Sequence, residues 1–172
     1  MLRLTSVLAL ALVLLTLPTA FGNIDDARRL QFYHTHTGQQ LEITYFRNGG
    51  YQVDALDQLN DFLSDWRNGK GRSIDPELMD ILWEIQRVNG SEGVFEVISA
   101  YRSPETNEML RGRSSGVAKK SQHLEGKAID VRLRGLDTRA LRDTALRLQR
   151  GGVGYYEQSD FVHVDTGRVR SW

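Results

Sequence analysis

The spacing of apolar residues changes along the chain, and this change constrains the fold more than any other feature. Residues 54–66 and 76–89 carry apolar side chains at helical spacing, which predicts amphipathic helices. Residues 126–133 and 161–165 alternate apolar and polar side chains, which predicts strands with one face in the core. Because the helices come mostly first and the strands mostly later, we predict an α+β fold with an antiparallel central sheet and helices packed on one side.

Further elements complete this prediction. Residues 30–51 contain an alternating segment and glycine turns, which predicts a β-hairpin near the start of the domain. Asp75 followed by Pro76 predicts the start of the second helix, since an acidic N-cap and a proline at the first helical position both favour helix initiation. A β-branched strand is predicted over 94–101, and Asp137 is predicted to cap a third helix.

The first 22 residues have the pattern of an export signal. Arg3 supplies a positive charge, residues 4–17 form an apolar stretch, and small residues precede Asn23. We predict a signal peptide over 1–22, a single domain over 23–172 and export to the periplasm. The alternative is a leader that is not cleaved and anchors the domain. No later segment approaches the ~20 apolar residues of a membrane span.

Charge and cysteine content exclude several classes of protein. The chain has 22 basic and 22 acidic residues, so it has no electrostatic reason to bind nucleic acid. It has no cysteine, which excludes disulfides, thiol catalysis, cysteine-type zinc fingers and iron–sulfur clusters. Nothing in the sequence indicates the oligomeric state.

Two segments contain histidine and aspartate in a pattern that suits a metal site. A glycine-containing turn separates His123 from Asp130, so that a loop residue and a strand residue can converge. His163 lies on a later predicted strand, with Asp165 on the same face and Asp160 just before the strand. Zinc peptidase chemistry needs three protein ligands and one open position, and two imidazoles with one carboxylate supply such a set.

The remaining acidic and histidine residues have competing interpretations. Asp160, three residues before His163, is the candidate general base that accepts a proton from the attacking water. Asp165 is its competitor, and it could instead orient an imidazole. His34 and His36 in the first hairpin are expected to be structural.

The motifs together resemble those of the LAS zinc metallopeptidases. The resemblance rests on Ser-x-His-x-x-Gly-x-Ala-x-Asp at 121–130 and Asp-x-x-His-x-Asp at 160–165. Residues 99–104 and the glycine-rich run 151–156 are similar to the YcbK-like murein endopeptidases of the D-alanyl-D-alanine carboxypeptidase branch. The resemblance covers nearly all of the chain after the leader. It implies the hedgehog/D-Ala-D-Ala peptidase fold, with a zinc cleft across the sheet.

The resemblance also implies an activity and a set of site residues. It implies a zinc-dependent endopeptidase or carboxypeptidase that hydrolyses amide bonds in peptidoglycan stem peptides or cross-links during cell-wall remodelling. Many members have glutamate where this chain has Asp160, which is one methylene shorter. The resemblance implies one Zn²⁺ per chain bound by His123, Asp130 and His163, with Asp160 as general base, Arg102 on the developing oxyanion or a substrate carboxylate, and Ser121, Asp165 and Tyr156 as supporting or substrate-contacting residues.

Two alternatives remain open from the sequence. The first is a zinc-binding module of the same fold that binds the cell wall without catalysis. It gains support if Asp160 lies far from the metal and no other carboxylate replaces it. The second is a plain wall-binding domain in which the histidines and aspartates are structural.

Overall fold

The computed structural model of the protein describes residues 26–114 and 116–172. The predicted signal peptide, residues 1–22, lies outside the described residues, as do residues 23–25 and Ser115. The described residues form eight strands, four α-helices and two 3₁₀ turns. In chain order these are β1 Arg28–His34, β2 Gln40–Arg47, β3 Gly50–Tyr51, α1 Val53–Phe62, α2 Pro76–Val88, β4 Phe95–Ser99, α3 Pro104–Arg111, the turn Gln122–Glu125, β5 Ala128–Leu133, α4 Thr138–Leu148, β6 Gly152–Tyr156, the turn Glu157–Ser159, β7 Phe161–Asp165 and β8 Arg170–Ser171.

The strands form one sheet in the order β3-β2-β1-β4-β5-β7-β6-β8. The α+β class is confirmed, but the predicted purely antiparallel sheet is wrong, because β1 pairs with β4 and β6 pairs with β8 in parallel. The cause of the first parallel pair is the connection: α1 and α2 lie between the hairpin and β4, and such a crossover lets the chain re-enter the sheet in the direction of β1.

The helix starts follow the capping residues seen in the sequence. The Asp75 carboxylate accepts a hydrogen bond from the backbone N–H of Glu77 at 3.1 Å, and Asp137 does the same for Arg139 at 2.8 Å. Helix α1 ends at Phe62, earlier than the apolar spacing predicts. After this point the backbone carbonyl of Leu63 accepts a hydrogen bond from the N–H of Tyr101, so the chain pairs with another segment.

The neighbouring strands β5 and β7 have one face in the core and one face toward the candidate site. Val131, Val162 and Val164 are buried in the hydrophobic core, and α4 packs against both strands. Since successive side chains point to opposite faces, Asp130 and His163 lie on the face away from these valines. None of the helices in the described part is long and apolar enough to cross a bilayer.

Candidate metal centre

A short 3₁₀ turn, which precedes strand β5, brings His123 to the start of that strand. The hydroxyl of Ser121 accepts a hydrogen bond from the backbone N–H of His123 at 3.3 Å and so caps the turn. Gly126 ends the turn with a φ of +67°, in the left-handed region, and a Cβ there would collide with the carbonyl oxygen of Ser73. Glycine at 126 is therefore required for the chain to turn from His123 into β5.

Asp130 and His163 reach the same place from adjacent strands. They are directly opposite each other in the antiparallel pairing of β5 with β7. Asp130 Oδ1 lies 2.8 Å from His163 Nδ1 and 3.3 Å from His123 Nε2. All three side chains are buried, and one ligand atom from each lies within 4.8 Å of the others. The sheet and the turn thus bring together the three residues that the motifs indicate as a metal set.

The ring nitrogens of both histidines that point away from the cluster have partners. His123 Nδ1 lies 2.6 Å from the carbonyl oxygen of Ala100, and His163 Nε2 lies 3.0 Å from Asp165 Oδ2. Because a carbonyl and a carboxylate oxygen only accept, each of these nitrogens carries the proton. The inner nitrogens, His123 Nε2 and His163 Nδ1, face Asp130. Without a metal ion, His163 Nδ1 donates to Asp130 Oδ1 at 2.8 Å, and an ion bound by this set would replace that proton. Outer partners of this kind orient the histidine ligands of metal sites.

The ionisation of Asp130 also suits a metal ligand. Burial raises its pKa, but His123 and His163 lower it by more, so the pKa of Asp130 lies well below its usual range. Burial lowers the pKa of His163, and its hydrogen bonds to the two carboxylates raise it above the ordinary value. Two imidazole nitrogens and one carboxylate oxygen that face one point are a donor set that fits a catalytic zinc ion.

Asp165 is a buried acceptor with all its partners in place. Its side chain has no solvent exposure. Its carboxylate accepts hydrogen bonds from His163, from the Arg170 guanidinium at 2.6 Å, and from the backbone N–H groups of Gly152 at 3.0 Å and Gly167 at 2.8 Å. Burial raises the pKa of Asp165, and these donors together bring it below its usual range. Asp165 is therefore placed to hold the His163 ring.

Arg102 lies on the wall of the cavity that contains the cluster. Its guanidinium donates to Asn107 Oδ1 at 3.3 Å, and within the described part of the chain its Nε is buried without a hydrogen-bond partner. Burial, the largest effect on this group, lowers the pKa of Arg102. The Arg102 guanidinium thus brings a positively charged donor to the wall of the cavity.

Asp160 is not brought to the cluster. Its carboxylate accepts a hydrogen bond from the hydroxyl of Thr138 at the start of α4, at 2.7 Å, and lies 3.7 Å from Arg132 Nε. The side chain is 63% exposed, and Asp160 does not appear among the described residues that line the cavity. Its backbone has a φ of +51°, which turns the chain just before β7. The motif spacing suggested proximity, but this turn directs the carboxylate toward α4.

His34 and His36 take no part in the cluster. The buried His34 accepts the backbone N–H of His36 on Nδ1 at 3.3 Å. The ring of His36 stacks on Trp66, with the ring centroids 4.2 Å apart. His34 lies edge-on to Phe62 of α1, with the ring centroids 6.0 Å apart, so both histidines pack against aromatic side chains away from the cluster.

The cavity holds two aromatic residues that the motif analysis did not identify. It has a volume of about 330 Å³, and beside the three cluster residues its lining includes Tyr156, which the family resemblance implied, and Phe161 and Trp172, which it did not. A Cβ on Gly154 would lie 2.6 Å from the Trp172 ring, so this glycine provides the space for the indole. The sequence signal was the run 151–156, where a glycine between aromatic and apolar strand residues indicates a close approach of another segment.

Comparisons with known proteins agree with this site. A family model described as peptidoglycan L,D-endopeptidase MepK matches residues 23–172. The protein named peptidoglycan L,D-endopeptidase MepK in Escherichia coli (strain K12) is 43% identical over 159 residues, which cover 91% of this chain and 87% of the relative. A probable peptidoglycan L,D-endopeptidase MepK from Haemophilus influenzae is 40% identical over 146 residues, which cover 84% and 78%.

These matches extend over nearly all of the chain and include every residue of the cluster. They confirm the predicted resemblance to murein endopeptidases. The chain therefore belongs to the peptidoglycan L,D-endopeptidase MepK family of peptidases.

Proposed function

We propose that this protein is a zinc-dependent peptidase that hydrolyses an amide bond of peptidoglycan between an L- and a D-centre. The observation that carries the proposal is the convergence of His123 Nε2, Asp130 Oδ1 and His163 Nδ1, with the outer nitrogen of each imidazole already hydrogen-bonded. The names of the relatives support peptidoglycan as the substrate and an endopeptidase as the activity.

The three cluster residues hold the ligand atoms in place before any metal arrives. Asp130 is ionised, and the hydrogen bonds to Ala100 and Asp165 hold a proton on the outer nitrogen of each imidazole, so that the inner nitrogens would bind a metal ion when they lose any proton of their own. A zinc ion held by this set would act as a Lewis acid on the scissile carbonyl and lower the pKa of a water to about 7. In the reaction, water adds to the carbonyl carbon, its two protons pass to the leaving nitrogen, the C–N bond breaks, and a carboxylate and an ammonium group are released.

Arg102 supplies positive charge on the cavity wall. Its guanidinium lies on the wall of the cavity and can donate to an oxygen of the substrate. A fixed guanidinium stabilises negative charge as it develops on the carbonyl oxygen, or it binds a free carboxylate of the stem peptide. The hydrogen bond to Asn107 helps to hold the guanidinium in place.

The setting of the activity belongs to the same proposal. The apolar leader over 1–22 supports export, and a peptidoglycan substrate fits a periplasmic location. We therefore propose that residues 23–172 act in the periplasm as one zinc peptidase domain, with Ser121 and Asp165 holding the two histidine ligands.

The direct test combines zinc analysis with digestion of purified sacculi. We expect one zinc per chain in the wild type, and the loss of zinc in each of His123→Ala, Asp130→Ala and His163→Ala, because none of the three ligands is spare. The matched controls His34→Ala and His36→Ala should keep the metal. The released muropeptides, identified by mass, should show cleavage of an L,D bond. Full zinc occupancy without cleavage would favour the non-catalytic wall-binding module instead.

A further inference from the structure

An aromatic wall stands beside the metal cluster. It consists of Tyr156, Phe161 and Trp172, all of which line the cavity. The rings of Tyr156 and Phe161 stack with centroids 4.5 Å apart, and the ring of Trp172 lies 5.1 Å from that of His163. Trp172 is 52% exposed, which is a large apolar exposure for a side chain that is so tightly held. A ligand bound in the cavity would therefore contact these three rings.

Several contacts hold Trp172 in this position. Its backbone N–H donates to Val153 and its carbonyl accepts from Tyr155, at 3.2 and 3.0 Å. The Arg170 guanidinium lies over the ring at 4.9 Å. Gly154 leaves just enough space for the indole, since a Cβ there would lie within 2.7 Å of three ring atoms. This ring is fixed by its surroundings before any substrate binds.

The fixed indole controls the hydroxyl of Tyr156. Trp172 Nε1 donates a hydrogen bond to the Tyr156 oxygen at 3.0 Å. An indole N–H can only donate, so the phenol oxygen is the acceptor and its own proton must point elsewhere. A phenol proton prefers one of two positions in the plane of the ring. The indole N–H of Trp172 occupies one side of the oxygen, so the proton takes the in-plane position that points away from Trp172. In the described part of the chain, this O–H has no acceptor.

We propose that Tyr156 is a catalytic residue that donates its O–H to the scissile carbonyl oxygen as negative charge develops there, and that Trp172 is the positioning residue that orients this donor. The inference rests on the proposed function. No proton is transferred, since the hydrogen bond only becomes stronger as the oxygen gains charge. Oriented donors of this kind stabilise the transition state more than the bound substrate.

The position of Arg102 agrees with this assignment. Arg102 and Tyr156 both lie on the wall of the cavity that contains the metal cluster. The cavity thus contains two donors, a buried guanidinium and an oriented phenol, beside the metal cluster. If both groups donate to the scissile carbonyl oxygen, they form an oxyanion site, and each donor can be removed by a separate substitution.

The test is a double-mutant cycle on the zinc-loaded protein. We expect Tyr156→Phe to lower kcat for a cross-linked peptide by about 10²–10³-fold, with KM and zinc content unchanged, because only a transition-state contact is lost. Trp172→Phe keeps an aromatic ring but removes the N–H, so kcat should fall by about tenfold. In the Tyr156→Phe background, Trp172→Phe should cost at most about twofold, because its effect acts through Tyr156.

Matched controls come from the same residue types elsewhere. Tyr155→Phe alters the neighbouring tyrosine, whose ring contacts Arg142 of α4 on the other side of the sheet, and Trp83→Phe alters a tryptophan that packs beside Arg28. Both should leave kcat unchanged. A second measurement is the affinity for a phosphinate peptide, which mimics the tetrahedral species. Tyr156→Phe should weaken it by the same factor as kcat/KM, while the affinity for the product peptide stays constant.

The outcomes separate the inference from the proposed function. If the wild type does not cleave peptidoglycan, the proposed function is refuted and the role of Tyr156 with it. If the wild type cleaves and Tyr156→Phe is equally fast, only the catalytic role of Tyr156 is refuted. If Trp172→Phe costs the same factor in both backgrounds, Trp172 does not act through Tyr156. A loss of zinc in Tyr156→Phe would show a structural role and also overturn the inference.

Discussion

Replacing Asp165 by asparagine removes a charge from a site where every surrounding group is a donor. Oδ1 accepts from Gly152, Gly167 and Arg170, and Oδ2 accepts from His163 and Arg170. Asparagine has the same shape, but one of its two positions carries an NH₂ group. In either orientation the NH₂ faces donors, so Asp165→Asn creates at least one buried donor–donor contact.

The consequence for His163 follows from the orientation of the new amide. Three donors surround Oδ1, which favours the amide oxygen there and turns the NH₂ toward His163 Nε2. A neutral imidazole then keeps its one proton on Nδ1, the nitrogen that faces the cluster and would have to bind the metal ion. We expect zinc affinity to fall by about 10–100-fold. The loss of a hydrogen bond to a charged group lowers the free energy of unfolding by about 1.5–3 kcal/mol.

The assay is a competition titration of zinc against a chromophoric chelator, together with denaturant unfolding of the metal-free protein. Asp160→Asn is the matched control, because the same substitution is made at an exposed carboxylate whose hydrogen-bond partner is Thr138. From these contacts we expect Asp160→Asn to retain zinc affinity and turnover. If Asp160 were the general base, this variant would be full of zinc, with turnover lowered by about 10²–10⁴-fold.

Wild-type zinc affinity in Asp165→Asn would refute the reasoning, since it would mean that the outer partner of His163 does not set the ring's tautomer. A lower free energy of unfolding in Asp165→Asn would not by itself support the proposed effect on His163. The decisive result is weakened zinc binding in folded Asp165→Asn protein, measured well below the denaturation midpoint. An inactive, zinc-loaded Asp160→Asn would restore the general-base role that the motif spacing suggested.

Two further predictions concern Arg102 and Gly126. Arg102→Gln should lower kcat/KM for a peptidoglycan peptide by about 10²–10³-fold with full zinc occupancy; unchanged kinetics would exclude a substrate contact. Gly126→Ala should lower the free energy of unfolding by about 1–3 kcal/mol and weaken zinc binding, because the left-handed turn and the contact with Ser73 both oppose a Cβ. Gly38→Ala is its control, since Gly38 has a φ of +74° with no atom within 4 Å, so a loss of equal size in both variants would contradict the role of the close contact.

Local elements were predictable because their signals are local. The caps Asp75 and Asp137 mark the starts of helices, because each side chain accepts a hydrogen bond from a backbone N–H in the first turn. The alternation of apolar and polar residues in 161–165 marks a strand, because one face of the strand is buried. The convergence of His123 with Asp130 was predictable for a similar reason, since a single glycine turn separates them. These predictions required only contacts between residues that are close in sequence.

The remaining features of the fold and of the site depended on contacts between distant segments, which the spacing of residues in the sequence does not encode. The parallel pairing of β1 with β4 depends on where α1 and α2 return the chain. Asp160 precedes His163 by three residues, but its positive φ and its contact with Thr138 decide the direction of its carboxylate. Trp172 reaches the cavity through pairing with β6, which no local pattern near the end of the sequence predicts.

The direct pairing of Asp130 with His163 connects the metal site to strand register. A slip of one residue between β5 and β7 would move one of these side chains to the helix side of the sheet and would expose a core valine. The burial of Val162 and Val164 thus opposes a slip by one residue, and the same apolar contacts that stabilise the sheet keep both ligands on the face of the metal site. Core substitutions at residues that touch neither metal nor substrate should therefore disturb the arrangement of the metal ligands first.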